Sequence, residues 1–172
     1  MKAVINASPL IFLAKLGKLN LLSELFEEIF VPEEVLNEVL KGSEEGFKDA
    51  LSVKTQIERH KIKKVEATLK DELKILGLHV GELAVLSYAR ENYIENIIVD
   101  DYSAIKAAKY FGLRPISTPF ILLKALKDKN ISYVDFKDSL DELIEQKYRI
   151  SPGLYTKILE KAKDVSQRYS QR

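Results

Sequence analysis

Short unbroken apolar runs alternating with stretches of helical periodicity predict an α/β protein built on a parallel sheet covered by helices. Three observations carry that prediction. Ala3-Val4-Ile5 and Ile97-Ile98-Val99 are continuous apolar runs rather than alternating ones, as strands buried on both faces are. Each run is followed at once by residues that start helices, Ser8-Pro9 after the first and Asp100-Asp101 after the second. Gly17 and Gly112 fall where apolar helical patterns stop.

In chain order, Ala3–Ile5 is the opening strand. Ser8 is the expected N-cap of the next helix, with Pro9 at its first position and Leu10, Ile11, Leu13, Ala14 and Leu16 on its apolar face. Gly17 stops that helix, and residues 19–26 supply another. Ile29-Phe30-Val31 reads as a strand or a loop edge, after which Pro32 starts a helix that runs to about Leu40 and ends at Gly42. Residues 43–75 carry the weakest pattern, read as a helix at 44–56, an extended piece near Ile62–Val65 and a helix near 69–76. From Gly81 the pattern sharpens into a helix through Glu91, a strand at 97–99, a helix from about Tyr102 to Phe111, and an extended pair at Pro115-Ile116. Further helix starts are legible at Thr118 before Pro119, at Ser132 with Asp135 three residues on, and at Ser151 before Pro152. The expectation is one domain over residues 1–172 with a helical tail from about 132.

Composition narrows the chemistry. Lys and Arg number 27 against 26 Asp and Glu, so the chain lacks the overall charge of a strongly basic nucleic-acid binder, and any RNA contact is a local patch. The patches in view are the stretch from Lys54 to Lys64, with Arg59, Lys61 and Lys63, and the tail bearing Lys157, Lys161, Lys163, Arg168 and Arg172; Tyr148 and Tyr155 could stack on bases. Ordinary solvated lysine is the competing reading for most of them. Cysteine is absent, which removes disulfides, thiolate zinc and a thiol nucleophile, and leaves oxygen as the means of holding a metal. The apolar segment after Met1 is too short for a signal peptide and no run reaches the roughly 18 residues of a membrane span, so a cytoplasmic protein is expected.

Four residues far apart in sequence sit where apolar runs meet polar steps: Asn6, Glu38, Glu82 and Asp100. In an open parallel sheet ligands bind beyond the carboxyl ends of the strands, and Asn6 and Asp100 occupy that position on their strands. Each has a plainer alternative. Asp100 and Asp101 can simply cap a helix, Glu38 and Glu34 one turn before it can line a solvated face, and Glu82 can answer the dipole of the helix it opens. If the four converge, they form an oxygen-lined pocket suited to a hard divalent cation, which phosphodiester cleavage requires. Rival chemistry is poorly supported: His60 and His79 lack metal-site spacing, the glycines make no phosphate loop, and Ser8 has no nucleophile elbow.

The strings Val4-Ile5-Asn6-Ala7-Ser8-Pro9-Leu10-Ile11, Val31-Pro32 with Val35 and Glu38, His79-Val80-Gly81-Glu82, and Ile98-Val99-Asp100-Asp101 resemble the ordered motifs of PIN-domain nucleases. More narrowly they are similar to a VapC-like branch with an Asn-x-Ser-Pro-Leu-Ile start, and Tyr148-Arg149-Ile150-Ser151-Pro152-Gly153-Leu154-Tyr155 is similar to that branch's tail. The resemblance implies a three-layer α/β/α sandwich and a metal-dependent ribonuclease, often the toxin of a toxin–antitoxin pair. It implies that Asn6, Glu38, Glu82 and Asp100 hold Mg²⁺ or Mn²⁺ with Asp101 accessory, and that the partners are RNA, a small antitoxin and a second copy of the chain. Asn6 departs from the usual aspartate: it keeps a carbonyl oxygen but removes one negative charge, and metal affinity should fall. The alternative is a weak or silent PIN-fold module that binds RNA or protein.

Overall fold

The buried apolar runs become inner strands of a five-stranded sheet. A computed structural model describes residues 1–44, 48–59, 61–74 and 77–170. β1 (Lys2–Ile5), β2 (Glu28–Pro32), β3 (Lys63–Val65), β4 (Asn96–Ile98) and β5 (Arg114–Ile116) form one sheet in the order β3-β2-β1-β4-β5. Every pairing is parallel, with Val4 opposite both Phe30 and Ile97. Ala3, Val4 and Ile5 have no solvent exposure, so the opening run is the centre of the sheet.

Helices connect the strands: α1 (Ala7–Lys15), α2 (Asn20–Leu25), α3 (Glu33–Glu44), α4 (Lys48–Glu58), α5 (Asp71–Lys74), α6 (Val80–Glu91) and α7 (Tyr102–Tyr110). The chain moves outward from β1 through β2 to β3, then returns across β1 to β4 and β5. Because parallel crossovers are right-handed, these two directions put their helices on opposite faces, giving the three layers. α6 packs on β1, β2 and β4, and α7 on β5. The reversal of direction lies between β1 and β4, and in such sheets it opens a crevice at the strands' carboxyl ends.

Three local expectations are corrected. α1 begins at Ala7 with Asn6 in the N-cap position, so Ser8 is not the cap and Pro9 is the third helical residue. The first N–H groups of a helix have no internal partner, so proline's missing donor costs nothing there. Pro32 ends β2, opposite Val65, rather than starting a helix, a strand-end site where proline is tolerated. α3 runs through Gly42 to Glu44, since a helical glycine costs only about 1 kcal/mol relative to alanine. By contrast Gly17 and Gly112, at φ +64° and +72°, end their helices in the left-handed region.

Met1–Thr118 forms one compact unit and Pro119–Arg172 another. α8 (Thr118–Lys127) begins at the last residue of the first; the second carries α9 (Tyr133–Glu145) and α10 (Pro152–Ser170), packed on each other. Ser132 accepts the Asp135 N–H at 3.0 Å while Asp135 accepts the Ser132 N–H at 3.2 Å, a reciprocal cap on α9. Asp141 accepts from both Lys137 and Tyr155, which holds its carboxyl below the usual range and pushes the Tyr155 phenol up. No helix among the described residues is long and apolar enough to cross a membrane.

Candidate active site

Asn6 leaves β1 in an extended conformation, and its N–H bonds the Ile98 carbonyl at 2.9 Å, tying it to the strand that carries Asp100. Its position is that of a helix cap, yet its side chain caps nothing. The residue is 6% exposed and its Oδ1 is buried without a hydrogen-bond partner. Such an orphan acceptor costs about 1–3 kcal/mol, which a group placed beside it would recover.

Gly81 shows how closely the neighbours approach. A methyl group on it would lie 3.0 Å from Glu38 Oε2, 3.3 Å from Asn6 Oδ1 and 3.4 Å from Val35 Cγ2. The Asn6 and Glu38 oxygens therefore face the same point at the start of α6. A side chain at residue 81 would press on both oxygens, so glycine is what leaves that point open to them.

Glu82 follows at once and is 4% exposed. Its Oε2 accepts the His79 N–H at 3.0 Å, so the dipole reading of the sequence holds in part, but the carboxyl is buried as well. Burial pushes its pKa up; the His79 N–H opposes that, and the charges of Asp101 and Glu38 add to it. A carboxyl that burial and two anionic neighbours disfavour as an anion is one that a cation would stabilise.

Asp100 and Asp101 divide the tasks that the sequence left open between them. Asp101 is the N-cap of α7, accepting from the Ser103 and Ala104 N–H groups at 2.7 and 3.3 Å. Asp100 instead accepts from the N–H and hydroxyl of Thr118, at 2.7 and 2.6 Å, which fixes its carboxylate at the carboxyl end of β4. Thr118 is itself fully buried; the sequence marked it only as a helix start.

Beside Glu38 and the start of α6 lies a cavity of about 490 Å³ lined by Glu34, Asn37, Glu38, Lys41, His79 and Val80. Of these the sequence named Glu38 as a site residue and marked Glu34, one turn before it, as able to border a pocket; Asn37 and Lys41 share that helix face by spacing. Glu34 Oε2 is buried and has no hydrogen-bond partner. Among the described residues no three or more His, Cys, Asp or Glu side chains are gathered as metal ligands. The donors nonetheless suit a hard cation in kind: an unpartnered amide oxygen, Glu38 facing the same point, and a buried carboxyl whose charged form needs compensation.

The basic stretch predicted to meet RNA is partly neutralised. Lys54 pairs with Glu58, Lys63 with Glu28 and Lys64 with Glu33, while Arg59 and Lys61 are exposed. In the tail Lys157, Lys161, Lys163 and Arg168 are exposed, and Tyr155 is engaged with Asp141; His60 and Arg172 lie outside the described residues.

A parallel sheet with Asn6 and Asp100 just beyond the carboxyl ends of the strands that flank its change of direction defines a class of α/β protein that handles ligands at a topological switch point. Within that class, a family model described as a PIN domain matches residues 2–164. The chain belongs to the PIN-domain family, a nuclease fold whose members generally use divalent metals and act on nucleic acid. No curated protein and no solved structure matches it significantly.

Proposed function

We propose that the chain is a metal-dependent endoribonuclease and the toxin of a toxin–antitoxin pair, hydrolysing RNA phosphodiester bonds with a metal-activated water. The observation that carries this reading is the buried, unpartnered Asn6 oxygen turned, with Glu38, toward the start of α6, where Glu82 lies buried. Asn6, Glu38, Glu82 and Asp100 would hold Mg²⁺ or Mn²⁺, with Asp101 accessory. When bound, the ion lowers the pKa of a water and offsets charge on the phosphate. The chain's residues prepare for that. Asn6 is fixed by its bond to Ile98 and offers a neutral acceptor; Asp100 is oriented by Thr118; Glu82, held by the His79 N–H, gives up its proton more readily once positive charge stands beside it.

The proposal includes a homodimer, a small antitoxin chain that covers the acidic cleft and supplies an Arg to its carboxylates, and action in the cytoplasm. A second reading, a silent binding module, is favoured by two observations: Asn6 is uncharged, and no three acidic or histidine ligands are gathered among the described residues. Cleavage of a structured RNA panel with Mn²⁺, with Mg²⁺ and with chelator separates the two. The nuclease reading expects turnover only with metal, lost in Glu82→Gln. Absent or metal-independent cleavage that the substitution leaves unchanged would leave the binding module standing.

A further inference from the structure

The cavity between the exposed face of α3 and the start of α6 is much larger than a cation, and its lining differs in character from the acidic centre it adjoins. Val80, 54% exposed, offers an apolar surface; Asn37 offers an amide; Lys41 is exposed and forms no ion pair among the described residues. At its wall stands the Glu34 carboxylate, one oxygen of which is buried with nothing to accept from. A buried acceptor without a donor is costly, so the ligand this wall suits is one that brings N–H groups. The terminal carboxyl torsion of glutamate is soft, and turning it presents the unpaired oxygen to an arriving donor.

We propose that this cavity is a base-reading subsite for the nucleotide that flanks the scissile phosphate, a role that rests on the ribonuclease reading above. Glu34 accepts from the exocyclic amino group of guanine, adenine or cytosine. Asn37 pairs with the remaining base edge, Val80 packs on the base, and Lys41 holds a phosphate oxygen. Sequence-specific RNA recognition works in this way on unstacked bases, by packing against the ring and hydrogen bonding to its edges. Uracil is selected against: it has no exocyclic amino group, and its one edge donor, N3–H, stands between two carbonyl oxygens that repel an approaching carboxylate. A cation bound by Glu34 is the competing occupant. The size of the cavity, and the lack of three gathered acidic or histidine ligands among the described residues, count against it.

The test is a nuclear magnetic resonance titration of the full chain, in chelator, with GMP, AMP, CMP and UMP, following backbone amides of α3 and of residues 79–82. Binding is read without turnover, so the result stands whether or not the protein cleaves RNA. The expected outcome is that amino-bearing nucleotides bind on the order of tenfold more tightly than UMP, the discrimination one well-placed polar base contact provides. Glu34→Gln, nearly isosteric, should bring that ratio close to one. Lys41→Ala, at an exposed position, should weaken all four nucleotides while keeping the ratio. Equal binding of UMP, selectivity that survives Glu34→Gln, or, in a parallel titration without chelator, shifts that follow added Mg²⁺ and not nucleotides would each overturn the subsite. If instead selectivity is found but no RNA is cut with any metal, the subsite stands and the catalytic reading falls.

Discussion

At the scale of single residues, the division of labour between neighbours decides the site. Asp101 spends its carboxylate on capping α7, which leaves Asp100 for Thr118; Asn6 stands at a cap position and caps nothing. The amide at Asn6 is the most informative position to change. Asn6→Asp adds a charge beside Glu38 and Glu82, so the metal-free protein should melt at a lower temperature while Mn²⁺ binds about tenfold more tightly, a gain near 1.4 kcal/mol. Asp100→Asn should abolish metal-dependent cleavage. Calorimetry with Mn²⁺ and cleavage assays on both variants check this; a metal-free melting temperature that rises in Asn6→Asp would mean that the added charge is not near the other two. Residue placement was only half legible in the sequence. Asn6 and Asp100 stood out because they end buried runs, whereas Glu34 and Lys41 belong to a helix face that sequence alone cannot tell from a solvated one. Which member of the Asp100-Asp101 pair would cap depended on Thr118, 18 residues away and invisible to local pattern.

At the scale of elements, strands and helices were legible where they are long or fully apolar. β1, β4, α6 and α7 follow from their runs; the weak pattern of 43–75 hid the limits of α3 and α4 but not the strand near Ile62–Val65. The misread starts at Ser8 and Pro32 share one cause: proline is compatible with the ends of both helices and strands, so it marks a boundary without fixing on which side the boundary falls. The approach of α3 to α6 makes a second prediction. Gly81→Ala gains helix propensity and displaces the flexible Glu38 carboxylate at little cost, so the melting temperature should stay within a few degrees of wild type. Metal-dependent cleavage should fall, because the Asn6 and Glu38 oxygens can no longer share one point. Thermal melts alongside cleavage rates separate those effects; a parallel loss of both would place the effect in folding.

At the scale of the whole molecule, ion pairs at the amino ends of three neighbouring strands contribute to the response to acid. Glu28 on β2 bonds both Lys2 on β1 and Lys63 on β3, and those two hydrogen bonds lower its pKa from 4.5 to about 2. A carboxylate with a depressed pKa contributes stability that is fully present above its unfolded value and is lost as the pH falls through the folded one. Wild type should therefore exceed Glu28→Gln in melting temperature at neutral pH, with the difference shrinking between pH 4.5 and about 2. A difference that is constant across that window would exclude the ion pairs as its source. The proposed assembly is checked by light scattering: a dimer at micromolar concentration is expected, and a monomer that recovers no small partner from its host would count against both partners. One consequence reaches beyond the cleft. The carboxylate proposed to meet the metal also grips Thr118, the last residue of the first compact unit and the first of α8. Two claims on one group are linked reciprocally, so whatever factor a cation takes from the grip on Thr118, fixing Thr118 must take from cation affinity. The exchange rate of the Thr118 amide hydrogen thus becomes a gauge of site occupancy, readable without substrate and without catalysis.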